Sequence, residues 1–267
     1  MSNINSPKET FFALTETAEK KANLSFVNMS ILGFLAGAYI AFGSYLFTTV
    51  YTGSVDALGY GFSKFLGGAM FSVGLMLVLV AGAELFTGNM LILLGKMQKK
   101  LSWLQFGKNL LIVYLANFVG SVVVALMIYY SGVNGEGEVL SDVGTTALKI
   151  AEYKAELGFV PALLRGILAN WLVCLAVVLA AAAKDVPGKI FACLFPIMAF
   201  VAMGFEHSVA NMFFLPSGLL LSQNVHSTLE LSGVANNLVA VTVGNMIGGL
   251  IFVALLYWAV YLRNERK

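Results

Sequence analysis

Six apolar stretches, each long enough to cross a lipid bilayer, constrain the fold of this chain more than any other feature of its sequence. They cover approximately residues 27–50, 66–95, 107–130, 159–183, 189–215 and 236–262. A spanning helix needs about 20 mainly apolar residues, and each stretch is apolar around most of a helix. Only 11% of the residues are charged, whereas soluble domains carry about a quarter. We therefore predict an all-α membrane protein with six transmembrane helices.

The basic residues predict the orientation of these helices. Twelve of the sixteen Lys and Arg residues fall on one side of the expected membrane: Lys8, Lys20, Lys21, Lys96, Lys99, Lys100, Lys108, Lys184, Lys189, Arg263, Arg266 and Lys267. The other side keeps Lys64, Lys149, Lys154 and Arg165. By the positive-inside rule, both termini are cytoplasmic and residues 1–26 form a cytoplasmic N-terminal segment. We expect one transmembrane domain, 1–267, in the inner membrane, surrounded by lipid. A net charge of only +2 argues against a nucleic-acid partner.

An internal repeat relates the two halves of the chain. Gly82, Glu84, Asn89 and Met90 align without gaps with Gly204, Glu206, Asn211 and Met212, at an offset of 122 residues. Asn109, Asn117 and Gly120 align with Asn237, Asn245 and Gly248, at an offset of 128. Each repeat, about 27–130 and 159–262, has three spans, so the second enters the membrane inverted. Inverted repeats place their matching polar elements near the bilayer midplane, where a solute site is expected.

Two carboxylates lie in the middle of long apolar stretches. Glu84 and Glu206 each come shortly before an asparagine, Asn89 or Asn211. We interpret spans two and five as interrupted helices, in which the carboxylates accept from the exposed backbone N–H groups. These four residues are therefore predicted to form a scaffold for the helix breaks and need not touch a solute.

His207 breaks the symmetry of the repeat, because its counterpart is Leu85. Histidine exchanges a proton near neutral pH, and a neutral imidazole can donate to an anion. The alternative is a core histidine bonded to a neighbouring Glu or Asn. Thr87 offers a hydroxyl on the other half, unless it bonds back to its own helix. Lys154 belongs to a polar segment, 145–157, which is expected to form an interfacial helix with a snorkelling lysine.

Four segments carry a resemblance to the formate/nitrite transporter family. They are Ala36–Gly43, Gly82–Thr87, Arg165–Cys174 and Gly204–Phe213. The resemblance implies an aquaporin-like protomer with interrupted spans two and five, its own pore, and assembly as a homopentamer. It implies constrictions at Phe71, Leu75, Leu85, Phe86, Val173 and Phe200. It also implies a central histidine at His207, with Thr87, Asn170 and Lys154 around the pathway.

The resemblance implies small monovalent anions of weak acids as solutes, namely formate, nitrite or hydrosulfide. An unpaired anion between phenylalanine-lined slits would face a desolvation cost idealised at tens of kcal/mol, which a neutral acid avoids. We therefore hypothesise that the anion is attracted by a positive vestibule and crosses as the neutral acid, by a pH-dependent channel or a proton-coupled route. The run from Phe205 to Pro216 is similar to formate-type members, whereas Glu84–Gly88 is similar to nitrite-type ones.

Two readings from other classes compete with anion transport. A water or glycerol pore is disfavoured because neither repeat carries Asn-Pro-Ala. An enzyme would need a metal cluster or an acid–base pair, which His207 and His226 alone do not provide. Cys174 and Cys193 lie in apolar stretches and are read as buried core residues. We expect no catalytic residue, no metal and no cofactor.

Overall fold

The computed structural model describes residues 4–223 and 225–265, and it is almost entirely helical. The first half contains α1 (Pro7–Ala22), α2 (Phe26–Tyr51), α3 (Ser54–Leu58), α4 (Tyr60–Phe71), α5 (Val73–Met76), a π-helical turn (Leu77–Gly82), a 3₁₀ helix (Gly88–Ile92), α6 (Leu93–Met97) and α7 (Trp103–Tyr130). The second half contains α8 (Asp142–Ala155), α9 (Phe159–Ala182), α10 (Val186–Ala202), α11 (Ser208–Leu221), α12 (Leu231–Gly249), a π-helical turn (Leu250–Leu255), α13 (Leu256–Tyr261) and a 3₁₀ turn (Arg263–Glu265). A two-residue antiparallel hairpin, β1 (Gly135–Glu136) with β2 (Val139–Leu140), joins the halves.

Five helical runs in the described residues are long and apolar enough to cross a membrane. They are Phe26–Tyr51, Tyr60–Gly82, Trp103–Tyr130, Phe159–Ala182 and Leu231–Tyr261. The expected stretch 189–215 is divided between two shorter apolar helices, α10 and α11. The helical run over the first part of the expected stretch 66–95 begins earlier, at Tyr60, and ends at Gly82. It brings Lys64 onto the same helix as Phe71. The predicted interfacial helix is present as α8.

Each repeat has one closely packed pair of helices. In the first, α2 packs along α7, and in the second, α9 packs along α12. Glycine makes both approaches possible: a Cβ atom on Gly120 would overlap the carbonyl oxygen of Phe34, and one on Gly248 would overlap that of Ile167. Small residues allow helix backbones to come this close in a membrane protein. The two seams place the asparagines of α7 and α12 against the centre of the molecule.

The helical run that follows α4 and α5 ends at Gly82, and α10 ends at Ala202. Gly82 has φ +91° and Gly204 has φ +74°, backbone conformations that glycine adopts without the strain of a Cβ. After the first break the chain is extended at Ala83 and re-forms a helix at Gly88. After the second break, α11 begins at Ser208 with His207 as its N-cap. The two breaks bring Glu84 and Glu206 into the interior.

A short helix precedes each repeat. The first, α1, begins with a capping box in which Ser6 and Glu9 bond each other's backbone N–H groups. It packs its buried face on the end of the chain, where the ring of Phe11 stacks on Tyr257 at 4.7 Å and on Tyr261 at 5.7 Å. The second, α8, is capped by Ser141 and packs against α11. Each helix therefore lies beside the break of its own repeat.

Candidate functional site

Two separate cavities lie at opposite ends of α10. The Lys154 cavity has a volume of about 440 Å³, and its walls include Phe71, Lys154, Phe200, Glu206 and His207. The Lys21 cavity has a volume of about 430 Å³, and its walls include Lys21, Leu75, Glu84, Leu85 and Asn89. Among the described residues, none lines both cavities. Each cavity therefore reaches one helix break from its own end of the molecule.

In the Lys21 cavity, the buried carboxylate of Glu84 is held by a lysine and an asparagine. The ammonium of Lys21 lies 2.9 Å from Glu84 Oε1. Asn89 donates to Glu84 Oε2 at 2.7 Å and to Asn109 at 2.9 Å. Asn109 in turn donates to the backbone carbonyl of Lys21 at 3.1 Å. The four side chains form a closed polar network that joins α1, the first break and α7.

The Lys154 cavity contains the matching residues and most of the same bonds. One bond differs: Lys21 also donates to Asn89 Oδ1 at 2.9 Å, whereas the corresponding Asn211 Oδ1 accepts no hydrogen bond within the described part of the chain. The ammonium of Lys154 lies 2.9 Å from Glu206 Oε1. Asn211 donates to Glu206 Oε2 and to Asn237, both at 2.7 Å. Asn237 donates to the backbone carbonyl of Lys154 at 2.8 Å. Buried ionised groups need a partner, and here each glutamate has one in a lysine from the short helix that precedes its repeat.

The backbone at the breaks is not satisfied by the two glutamates. Asn117 accepts from Phe86 N–H at 2.9 Å and donates to the carbonyls of Gly33 and Glu84. Asn245 does the same in the second repeat, where it accepts from Ser208 N–H at 2.8 Å. An amide side chain can accept and donate together, which a carboxylate cannot. The expectation that Glu84 and Glu206 accept from the break N–H groups is therefore corrected in favour of these asparagines.

His207 and Thr87 meet where the two breaks face each other. His207 Nε2 lies 2.9 Å from Thr87 Oγ1, and both side chains are buried. The other ring nitrogen, Nδ1, accepts from Ala210 N–H at 3.1 Å as the N-cap bond of α11. Because Nδ1 must keep its lone pair for this bond, the proton of the neutral ring is on Nε2, which donates to Thr87. Thr87 is thus bonded across the repeats.

Aromatic rings cover His207 on the side of the Lys154 cavity. The ring of Phe200 lies 6.0 Å from that of His207, and Phe71 meets Phe200 edge to face at 5.7 Å. On the other side, Leu75 and Leu85 line the Lys21 cavity. The remaining two expected constriction residues lie elsewhere in the described part of the chain: Phe86 packs edge to face on Tyr114 at 4.8 Å, and Val173 is buried outside both cavities.

Asn170 lies behind Thr87. It donates to the carbonyl of Thr87 at 3.2 Å and to that of Asn245 at 2.7 Å. Cys174, one turn later on α9, also approaches the Thr87 carbonyl, at 3.5 Å. Asn170 therefore contacts the backbone of the first break and the helix that supports the second, and it lines neither cavity.

Lys21 is the site residue that the sequence reasoning missed. It was counted only as one of the basic residues that set the orientation. A signal was available, because Lys21, Ala22, Leu24 and Phe26 match Lys154, Ala155, Leu157 and Phe159 at an offset of 133 residues. The same offset relates Gly33 to Gly166, whose carbonyls bond Asn117 and Asn245. The repeat thus extends back into the helices that precede it.

Several apolar helices around two cavities, each with a lysine–glutamate pair in its wall, are typical of a multi-pass membrane protein of the transport class. The family model for the formate/nitrite transporter matches residues 8–259. The chain belongs to this family, and the resemblance seen in the sequence is confirmed. The members of the family are channels and transporters.

Relatives with printed functions support this assignment. A probable formate transporter of Methanothermobacter thermautotrophicus is 43% identical over 281 residues, which cover 98% of this chain and 99% of the relative. The formate channel FocA of Escherichia coli strain K12 is 36% identical, covering 88% and 86%. Among solved structures, a pentameric formate channel with formate bound has a TM-score of 0.79 at 33% identity, covering 89% of this chain and 98% of that one.

Proposed function

We propose that this protein transports small monovalent anions of weak acids across the inner membrane, with formate as the principal solute. The observation that carries the proposal is the family match over residues 8–259, together with relatives described as a formate transporter and formate channels. By analogy with the pentameric formate channel, five copies assemble with a separate path in each. Nitrite and hydrosulfide are alternative solutes of the same path.

The proposed path runs from one cavity to the other through the contact between His207 and Thr87. Spans two and five are the interrupted ones, and their breaks meet at this contact. Both termini are cytoplasmic, so the Lys21 cavity opens to the cytoplasm and the Lys154 cavity to the outside. An ammonium has three N–H donors. Lys21 uses one on Glu84 and one on Asn89, and Lys154 uses two on the oxygens of Glu206, so each lysine keeps one donor. An anion entering from either end therefore meets a cation at similar depth.

The centre of the path favours a neutral molecule. Phe71 and Phe200 cover His207 on one side, and Leu75 and Leu85 lie on the other. An anion stripped of water here would be costly, whereas the neutral acid is not. The solute is protonated in a cavity and then passes His207. As it passes, Nε2–H of His207 donates its hydrogen bond to a solute oxygen in place of the Thr87 hydroxyl. His207 acts as a hydrogen-bond donor, and a proton-coupled route through its ring requires it to release Ala210.

Substitution of His207 tests the proposal. His207→Asn keeps an acceptor that can cap α11 but withdraws the donor from Thr87. We expect formate flux in proteoliposomes at neutral pH to fall about tenfold, the equivalent of one hydrogen bond of about 1.4 kcal/mol. Flux of formate, nitrite and hydrosulfide should be measured across pH, so that the principal solute is identified in the same experiment.

The matched control is His226→Asn, which alters the exposed second histidine and should leave flux unchanged. Unchanged formate flux and pH dependence in His207→Asn would contradict the role given to the histidine. Absence of flux for all three anions in the unaltered protein, with rapid osmotic swelling instead, would overturn the proposed function.

A further inference from the structure

A second lysine in the wall of the Lys154 cavity has surroundings unlike those of Lys154. Lys64 lies on α4 and lines this cavity. Its ammonium lies 5.4 Å from the ring centroid of Phe47, 4.7 Å from that of Tyr51 and 5.7 Å from that of Tyr60. Three rings from two elements thus surround one cation at distances at which the ring quadrupole attracts it.

Lys154 and Lys64 differ in the net charge that each lysine and its contacting groups carry together. Lys154 contacts both oxygens of Glu206 at 2.9 and 3.0 Å, so the pair is neutral as a whole. Aromatic rings stabilise a cation without a charge of their own, so protonated Lys64 with its rings carries a net positive charge. Across residues 4–223 and 225–265, no carboxylate lies within 4.0 Å of the Lys64 ammonium, and no protein acceptor takes a hydrogen bond from it. Its N–H donors are therefore available to an anion.

The remaining charges of this cavity do not cancel that of Lys64. Its lining contains three lysines, Lys64, Lys149 and Lys154, against two carboxylates, Asp56 and Glu206. Asp56 and Lys149 are exposed. Their opposite charges sum to zero, and water and salt screen both of them. The excess positive charge of the cavity therefore lies at Lys64, which is half-buried.

The position of Lys64 along α4 places it before the narrow part of the path. Tyr60 is 63% exposed, Lys64 is half-buried, and Phe71 is 3% exposed. Seven residues separate Lys64 from Phe71, a rise of about 10 Å along a helix. An anion at Lys64 is thus still in the wide part of the cavity, about one Debye length from the constriction at physiological salt.

We propose that Lys64 is the first docking point for the anion on this side of the protein, where a small monovalent carboxylate or a similar oxyanion is held before it reaches Lys154 and His207. The proposal rests on the anion transport proposed above and assigns to Lys64 a role in capture. Capture raises the local concentration of the anion and lowers the concentration at which flux half-saturates. It does not change the passage of the neutral acid past His207, which sets the maximal flux.

The test compares Lys64→Met with Lys64→Arg and with a matched control, Lys96→Met. Lys96 also lies over an aromatic ring, that of Trp103 at 5.1 Å, but it lines neither cavity. Each Met variant removes one positive charge together with the cation–π contacts of its lysine, which are three at Lys64 and one at Lys96. Initial formate flux is measured in proteoliposomes against formate concentration, at low ionic strength and with an impermeant salt added.

For Lys64→Met we expect the half-saturating formate concentration to rise about fivefold, within the range known for electrostatic steering. The maximal flux should stay within about a factor of two, and flux at low formate should become less sensitive to salt. Lys64→Arg, which keeps the charge over the rings, and Lys96→Met should both behave as the unaltered protein. If Lys64→Met fails to assemble, Lys64→Gln is measured in its place.

Unchanged half-saturation and salt dependence in the neutral variant would overturn the proposal. A lower maximal flux with unchanged half-saturation would also overturn it, because that result points to a packing role. These outcomes are distinct from failure of the proposed function, in which the unaltered protein conducts no formate, nitrite or hydrosulfide and the role of Lys64 falls with it.

Discussion

The two helix breaks share most of their hydrogen bonds but have different residues at their centres. Asn117 accepts from Phe86 N–H at 2.9 Å, and Asn245 accepts from Ser208 N–H at 2.8 Å. Glu84 pairs with a lysine at 2.9 Å, and so does Glu206. The residues that follow each glutamate then diverge. Leu85 stands where the second break has His207, and Thr87 where it has Val209, at the repeat offset.

This difference separates the residues that support the helix breaks from the residues that can contact a solute. Groups that occur in both halves satisfy the backbone and the buried charges, which any broken helix in a membrane requires. Groups that occur in only one half are not part of this shared support, although His207 also accepts the N-cap bond from Ala210 N–H. His207 and Thr87 are both of this kind, and they are bonded to each other. A duplicated scaffold thus holds a hydrogen-bonded pair to which each half contributes one member.

The largest expected effect tests whether the two scaffolds are equivalent. Asn117→Leu and Asn245→Leu each remove the side-chain partner of one N–H and one carbonyl at a break, and of one carbonyl on the neighbouring helix, that of Gly33 or Gly166. Each unsatisfied buried group costs about 1–3 kcal/mol. We expect both variants to lose most of their assembled, heat-resistant protein in detergent, as measured by size exclusion after a temperature series.

The control is Asn236→Leu, which changes a half-buried asparagine of α12 that bonds only the carbonyl of Leu157 and should cost much less. If one of the two buried asparagines proves dispensable while the other does not, the scaffolds are not equivalent.

A smaller effect tests the two ion pairs. Lys21→Met and Lys154→Met each leave a buried carboxylate without its cation, a change that costs about 3–5 kcal/mol when the pair is fully buried. The Lys21 side chain is 28% exposed and that of Lys154 is 12% exposed, so the Lys154 variant should lose more thermal stability. Both should also lower formate flux.

Neutralising the carboxylate that Lys154→Met leaves without a cation separates the effect of charge from the effect of packing. The double variant Lys154→Met with Glu206→Gln should regain stability relative to Lys154→Met, because no buried charge remains. Failure to regain any stability would show that the lysine acts through packing and not through its charge.

The smallest effect distinguishes α1 from α8. Ser6 donates to the Glu9 carboxylate through its backbone N–H and its hydroxyl, and these bonds hold the pKa of Glu9 below its usual value. The capping box therefore stabilises α1 at neutral pH and is lost as the pH falls through that lowered pKa. In α8 the equivalent cap position is followed three residues later by Gly144, which has no carboxylate.

Amide hydrogen exchange at residues 6–10, corrected for intrinsic rates, should therefore lose protection in acid, whereas residues 141–145 should not. Glu9→Gln should remove the difference. Protection at residues 6–10 that is independent of pH in the unaltered protein would refute this account.

The family could be recognised from four segments of the sequence. The helices and the repeat could be predicted because long apolar stretches and gapless self-similarity are read directly from the sequence. It also singled out Glu84, Glu206, Asn89, Asn211, Thr87 and His207, all of which lie at the two breaks. The partners of these residues are more than fifty positions away in several cases, as for Lys21 with Glu84. Spacing alone carries no information about such pairings. The acceptors for the break N–H groups, Asn117 and Asn245, lie 31 and 37 positions from their donors and were assigned wrongly for the same reason. The roles of Lys154, Asn170 and the six constriction residues stay predictions.

The seams beside Gly120 and Gly248 set the distance between the two packed helices of each repeat. A methyl group at either position would overlap a carbonyl oxygen of the adjoining helix, and the two axes would have to separate. Asn117 and Asn245 lie one turn from these glycines, so separation would withdraw each amide from the break that it supports. The width of the proposed path thus depends on glycines that line neither cavity.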